Sequence, residues 1–544
     1  MISEPAVGSA FFGRKEVLDT LGKRVNALKA GYRQNVALTG QMLSGKSSIL
    51  YQFLYTLKDT SLIPVYVEVV EESFSSFADK FVATLLYSYL KSEARDTERD
   101  LPNLIKRAES LIPHTVYAVK KLQGKIARKK YTEAYKNLLD LTSILKKETG
   151  KSCVVILDEF HNLEFHKIKK PYLHFGKFMM IQKDTMYIVS SSQINAIKRI
   201  LSEKLALLYG NFEVIEISGF DGKTAENFLQ EKLQSLDIPQ NHIDYLIDFT
   251  DGNPFYLDVI SKKIIEIANF RKLTQADEGL ITEAFTSLIY TTSGTINQYF
   301  TNNIMNLIER ALRKEYLDIL AALALGFNKL KDIAGWFNKK STSELSKKLE
   351  HLIELDMVIK NGIFYEVRDR VFKFWLRTVY HEKKMSLVDD IVNRANDFVK
   401  EVEIDANEYL RQSKKSSLER LEGLFLLFNG EMVEIERKKR RLPKFVKIES
   451  RKYGKCDGFL AYQTADRYWV CEIFRNTVDE AAISDLIERS RPMREKVTKK
   501  VCMALGGIDT NALLLAKEKN VWVWDIDSTN ALLRLYKKRN LVYR

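Results

Sequence analysis

Only four cysteines occur in 544 residues, Cys153, Cys456, Cys471 and Cys502, scattered without a Cys-x-x-Cys pair or a histidine at ligand spacing. That pattern excludes a disulfide framework and a structural zinc site as the source of the fold. No apolar run approaches the roughly 20 residues needed to cross a bilayer, and the nearest, around Ile319 to Leu325, reads as a buried helix. The amino-terminal residues Met1 to Pro5 lack the basic-then-apolar pattern of a signal peptide. Internal repeats and low-complexity tracts are missing as well. These absences predict a cytoplasmic, globular chain with no membrane partner.

What is present in excess is positive charge: 85 Lys and Arg against 71 Asp and Glu give a formal charge of +14. Such a balance favours an anionic macromolecular partner, nucleic acid (DNA first) before membrane, although a solvated lysine-rich surface gives the same count. The chain is also too long for one hydrophobic core, so about three or four domains are expected.

The most specific pattern is Gly40-Gln41-Met42-Leu43-Ser44-Gly45-Lys46-Ser47, which fits the phosphate-binding loop G-x-x-x-x-G-K-S/T. It follows the apolar run Val36 to Leu38 and precedes a helix-like stretch through Leu54. Glycines let the backbone curl until successive N–H groups and a helix N-terminus face the phosphates of a nucleotide. Lys46 is then expected to reach the β and γ phosphates and Ser47 to hold Mg²⁺, with Ser48 completing the loop.

Cys153 to Leu157 is a short, continuous apolar strand that ends in Asp158-Glu159. Asp158 fits a Walker B carboxylate opposite Ser47, and Glu159 is placed to orient or deprotonate water, so ATP with Mg²⁺ is the expected ligand and hydrolysis the expected reaction. Ser190-Ser191-Ser192-Gln193 ends the next strand. Ser192 is a candidate sensor of the γ phosphate, and helix capping is the competing reading.

Strands at Pro64 to Val69, Cys153 to Asp158, Tyr187 to Ser190 and Val214 to Ile217 alternate with helical stretches, which predicts a doubly wound parallel sheet over residues 1–217. Ser73 to about Glu148 reads as a helical insertion, with a basic cluster at Lys125, Arg128, Lys129 and Lys130 that receives no role. Residues 218–300 read as a helical lid interrupted by Thr250-Asp251-Gly252-Asn253-Pro254. Residues 301–383 read as helix, helix and a hairpin turning at Asn361-Gly362, the winged-helix pattern. A charged linking helix (384–415) leads to a second α/β domain (416–544).

Phe12-Gly13-Arg14-Lys15-Glu16, the phosphate loop, Leu157 to Phe160 and Gly252 to Leu257 resemble, in that order, the archaeal-type ATPases of the STAND group, relatives of the AAA+ ATPases. The resemblance runs from residue 9 to residue 380. It implies that Phe12, Gly13, Arg14 and Pro254 line the adenine pocket. Where many STAND proteins end the sensor strand in arginine this chain has Gln193, so no arginine finger is identified.

Near the carboxyl end, Lys455-Cys-Asp457 and Glu472-Ile473-Phe474 resemble the PD-(D/E)xK arrangement of restriction-endonuclease-like domains. The resemblance implies a second Mg²⁺ at Asp457 and Glu472, with Glu419 or Glu422 added. Phe474 stands where that motif has lysine, which argues for a degenerate module that binds nucleic acid without cutting it. The basic run Arg437 to Arg441, followed by Lys444, Lys447, Arg451 and Lys452, suits phosphate contacts made without sequence preference. The reading is an ATP-hydrolysing switch coupled to nucleic acid. The competing readings are a Mg²⁺-dependent DNA nuclease with a regulatory ATPase, and an initiator-like ATPase whose winged helix reads duplex DNA. A protein partner for the winged helix or the terminal domain, and the oligomeric state, are left open.

Overall fold

Strands that read as continuous apolar runs are covered on both faces. The computed structural model places five of them in one parallel sheet: β1 (Asn35–Thr39), β2 (Leu62–Glu68), β3 (Ser152–Asp158), β4 (Thr185–Ser191) and β5 (Phe212–Glu216). Their order is β2-β3-β4-β1-β5. The structure describes residues 4–95, 98–205, 210–304, 308, 313–338, 342–385, 391–435, 438–454, 456–493 and 495–541. Arg437 and Lys455 therefore lie outside the described residues.

The chain divides into two compact units, Met1–Gly219 and Phe220–Arg544. In the first, alternate strand residues serve two cores. Val36, Leu38, Val154, Ile156 and Ile188 pack on Leu21 and Val25 of helix Lys15–Lys29 and on Ile49, Leu50 and Phe53 of helix Lys46–Thr56. Ala37, Val65, Val155, Leu157 and Val189 pack on the opposite face against a helical insertion. That insertion is four helices, Phe74–Ser92, Leu101–Ala108, Pro113–Ala127 and Tyr131–Thr149. Phe77, Phe81 and Leu85, at helical spacing, are all buried in it. The sheet and its helices form a P-loop-type α/β fold, which aims the carboxyl ends of the strands at a common edge.

The second unit contains helices Gly222–Lys232, Gln240–Thr250, Pro254–Arg271 and Glu278–Phe285. After them come Arg313–Ala324, Leu330–Trp336 and Ser343–Glu354 with an antiparallel hairpin, β6 (Val358–Asn361) and β7 (Phe364–Val367). Helix Ile391–Ser413 leads to helix Ser417–Phe425, whose start carries a capping box between Ser416 and Glu419. A second hairpin, β8 (Met432–Ile435) and β9 (Lys438–Arg441), takes up the basic run, and apolar Val433 and Ile435 hold it on the core.

A five-stranded sheet closes the chain: β10 (Lys447–Tyr453), β11 (Cys456–Thr464), β12 (Arg467–Phe474), β13 (Val497–Ala504) and β14 (Val521–Asp525), in that order. The first two pairings are antiparallel and the last two parallel.

Within this unit a buried charge cluster joins residues from four of the expected segments. Asp248 accepts two hydrogen bonds from the Arg370 guanidinium, at 3.0 and 3.1 Å, and one from Arg539 at 3.1 Å. Arg539 also pairs with Asp405 at 2.5 Å. Burial opposes the Asp248 charge, but Arg370 and Arg539 outweigh it and hold the carboxyl below its usual range. These residues come in turn from the expected lid, winged helix, linking helix and terminal domain.

Candidate nucleotide site

The loop between β1 and helix Lys46–Thr56 is shaped by its glycines. Gly45 has φ +93°, in the left-handed region where a side chain is strained. A Cβ on Gly40 would lie 2.3 Å from the Ile217 carbonyl oxygen. Leu43 also takes positive φ, +62°. Gln41 is half-buried and Met42 exposed at the rim, while the Ser44 hydroxyl is buried with no partner among the described residues. Ser48 accepts from the Ala6 N–H at 3.0 Å, tying the amino-terminal segment to the helix.

Lys46 is the first residue of that helix and 4% exposed. Its ammonium donates to the carbonyls of Gly40 and Gln41, at 2.9 and 2.8 Å. Burial lowers its pKa, and the charges of Glu159 and Asp158 oppose that shift. An ammonium held by neutral carbonyls, on the first residue of a helix, is a seat suited to phosphate.

Asp158 ends β3, and one oxygen accepts from Ser47 at 2.9 Å and from the Tyr66 hydroxyl at 2.9 Å. The other accepts from Ser190 and from the Glu159 N–H. Glu159 has φ +52°, which turns its side chain away from the strand direction, and one oxygen accepts from both the N–H and the hydroxyl of Ser192 at 2.9 Å. Helix Ile194–Arg199 takes Gln193 at its N-cap without a side-chain cap bond, so Ser192 faces Glu159 rather than capping. His161 lies 3.0 Å from Ser191 Oγ and 3.3 Å from Glu159, and burial depresses its pKa.

Lys46, Ser47, Asp158, Glu159 and Ser192, from three stretches of sequence, thus meet at one edge of the sheet. Arg14, also at positive φ, reaches the same neighbourhood: it donates to the carbonyls of Ser44, Ser218 and Gly219, beside Phe12 and Gly13. Pro254 belongs to the second unit, where it opens helix Pro254–Arg271 after Asn253, whose side chain accepts from the Phe255 N–H.

Tyr66, Glu68, Ser190 and His161 were not singled out by the sequence. Tyr66 and Glu68 alternate on β2, and Glu68 is the register partner of Asp158, so period two on the neighbouring strand was the available signal. His161 carried none.

The second expected metal site is corrected. Asp457 pairs in register with Ile473, while Glu472 pairs with Gly458, so the two carboxylates point to opposite faces of the sheet. Each is held by an arginine: Arg475 donates to Asp457 at 2.8 Å and Arg489 to Glu472 at 2.7 Å. Glu419 is engaged in its capping box and Glu422 accepts from Ser450. No group of three or more Asp, Glu, His or Cys side chains that could hold a metal ion occurs among the described residues. Phe474 is a core residue, 8% exposed.

Residues 11–260 match a family described as an ATPase domain predominantly from Archaea. The chain is an ATPase, with an archaeal-type ATPase domain over that segment. No curated protein matches it. Among solved structures it is similar to the Walker-type ATPase PABY2304 of Pyrococcus abyssi, at 19% identity and TM-score 0.48, covering 69% of this chain and 99% of that one. It is also similar to the Aeropyrum pernix ORC2 protein (12%, TM-score 0.42, covering 75% and 98%). The Aeropyrum pernix ORC1 protein in complex with DNA matches at 12% and TM-score 0.39, covering 69% and 94%.

Proposed function

We propose that the chain is an ATP-hydrolysing switch whose nucleotide state governs the contacts its second unit makes with nucleic acid, DNA first. The observation that carries this reading is the meeting of Ser47 with Asp158, and of Glu159 with Ser192, around the buried ammonium of Lys46. The residues fit Mg·ATP: the left-handed Gly45, the tight approach at Gly40 and the unpartnered Ser44 hydroxyl make a cradle of donors.

In that reading Lys46 leaves its carbonyls for the β and γ phosphates, and the N–H groups of residues 41 to 48 bind the chain of phosphates. Ser47 and Asp158 would hold Mg²⁺, which would supply neutralisation of phosphate charge; one or two protein oxygens suffice for that ion. Glu159 orients and deprotonates water. Ser192 sets the position of that carboxylate and is released from it as the γ phosphate enters. A ligand shifts a conformation only by binding its two forms unequally, and the loss of the Glu159–Ser192 bonds supplies such a difference here.

For the second unit, two observations favour protein contact over duplex reading by the winged-helix-type segment 313–367. The tip of its hairpin is already covered: Asn361 exchanges hydrogen bonds with the Glu434 backbone, and the Ile363 N–H donates to Met432. Helix Ser343–Glu354 carries Glu344, Glu350 and Glu354 beside Lys347 and Lys348, and Glu315 and Glu344 take Lys348. That helix offers phosphates little net positive charge.

The terminal domain is read as a restriction-endonuclease-like fold without its chemistry. On the face of Asp457 the neighbouring strand presents Ile473 and then Arg475, where a second carboxylate and a lysine would be needed. The nuclease reading is therefore not favoured.

The test is steady-state ATP hydrolysis with and without duplex DNA over a salt series. Stimulation that fades with salt is expected, because phosphate contacts act through counterion release. Indifference to DNA would sink the coupling, and unchanged nucleotide affinity in Lys46→Ala would sink the site.

A further inference from the structure

The basic run that the sequence presents as one block is divided by the fold. On β10, Lys447 and Arg451 share Glu449, at 3.9 and 2.5 Å, so much of that charge is neutralised locally. The other half lies on β9, which pairs with β8 and brings Arg440 to Trp522 of β14.

There the Arg440 guanidinium lies 4.5 Å from the centroid of the Trp522 ring, and Lys499 Nζ, from β13, lies 4.7 Å from the same ring. The indole is 8% exposed, fixed by an edge contact with Trp469. Lys499 contacts Asn520 Oδ1 at 3.3 Å and forms no ion pair among the described residues. Burial, then the charge of Arg440, lowers its pKa. Register pairs Ile435 with Lys438 and Val433 with Arg440, so exposed Lys438 shares the Arg440 side of the ribbon.

Two cations share one aromatic ring, whose negative face attracts both. An anion set beside them takes donors from both. The planar fork of arginine and the point charge of lysine are both suited to phosphate oxygens.

We propose that Arg440 and Lys499, held over Trp522, form a seat for backbone phosphate of duplex DNA, which Lys438 extends along the strand. This rests on the reading that the second unit binds nucleic acid. With Trp522 buried beneath the cations, no base stacks on it, so the contact is with the backbone and independent of sequence.

The test uses the full chain and a fluorescein-labelled DNA duplex of random sequence, with affinity read by anisotropy over a salt series. In Arg440→Gln/Lys499→Gln the log–log salt slope should shrink by about 2, roughly 0.9 per contact. The affinity lost over a fourfold rise in salt should therefore fall by about tenfold relative to the parent chain. Lys499→Arg should restore most of the slope, and Lys447→Gln/Arg451→Gln should leave it near the parent value.

A double variant that keeps its ATPase rate and melting temperature and also the parent slope overturns the seat, while the nucleic-acid reading stands. A parent chain that does not bind the duplex at any salt overturns both. Equal loss in both double variants also overturns the seat, because it makes the contact a diffuse field rather than a place.

Discussion

Asp457 and Glu472 stand on adjacent strands and face opposite sides of the sheet, because Gly458, not Asp457, is the register partner of Glu472. A metal ion needs both oxygens within about 2.1 Å, which opposite faces forbid. The chain should therefore leave plasmid DNA intact with Mg²⁺ or Mn²⁺, and Asp457→Ala should change nothing in that assay. Cleavage that this substitution abolished would refute the geometry. Glu472→Gln should instead cost stability. Its carboxylate is fully buried against Arg489, and removing one partner of such a pair costs about 3 kcal/mol, the low end for buried pairs because Arg489 is one-third exposed. Urea unfolding reads this directly.

Glu159 and Ser192 separate chemistry from binding. Glu159→Gln removes the base and should lower turnover by about 10² to 10⁴ while nucleotide affinity persists. Ser192→Ala loses only the hydroxyl, which turns to the γ phosphate once Glu159 is released from it, so its effect on turnover should be about tenfold, the ~1.4 kcal/mol of one hydrogen bond. If both variants instead raised KM and left kcat alone, the two residues would be binding groups.

The nucleotide site was legible because its residues act through the backbone and through fixed spacing. A glycine-shaped turn before a helix, and two acids after a continuous apolar strand, announce themselves in one dimension. Tyr66 and His161 reach the same site through register and a left-handed turn, neither of which leaves a pattern along the chain. For the terminal domain the face could not be read along the chain: period two puts Glu472 one residue out of step with Asp457, and only the strand pairing reveals it. All five residues of Arg437 to Arg441 are charged and none is apolar, so the run shows no strand pattern of its own, yet the two apolar residues of β8 suffice to hold Lys438–Arg441 in a hairpin. The Asp248 cluster was invisible, since Asp248, Arg370, Asp405 and Arg539 are far apart in sequence and each alone looks like surface charge.

Gly362 sits at φ +61° with its Cα hydrogen against β8, where a Cβ would lie 1.8 Å from the Met432 carbonyl oxygen. Both strain and contact oppose any side chain. Gly362→Ala should push the β6–β7 hairpin off β8 and break the Ile363–Met432 and Asn361–Glu434 hydrogen bonds, at a cost of about 1–3 kcal/mol. Amide exchange should speed up at Ile363 and Glu434 before it does in the first unit's sheet. Unaltered protection at both amides would mean that the hairpin and β8 are not joined in solution.

His166 gives the first unit an acid-sensitive point. Its Nδ1 lies 3.0 Å from the Glu72 carbonyl oxygen, which can only accept, so Nδ1 carries the proton and Nε2 is the bare nitrogen. Nε2 is buried with no partner, and the ring stacks on Phe77 at 4.7 Å. Protonation would create a buried charged donor with nothing to receive it. Burial accordingly lowers the His166 pKa, and nearby Lys80 adds to the effect, against the Glu72 carbonyl and carboxylate. Between that lowered value and the unfolded value near 6.5 the unfolded chain binds more protons, so stability rises with pH across this window. The contribution is fully present above about pH 6.5 and is lost as pH falls through the folded pKa. Each unit of separation is worth about 1.4 kcal/mol. His166→Gln keeps a side-chain donor for Glu72 and does not titrate, so the urea midpoint of the variant should fall less than that of the parent chain between about pH 7.5 and pH 5.5. Parallel midpoints across that range would show that the ring is protonated without cost, which its buried Nε2 does not allow.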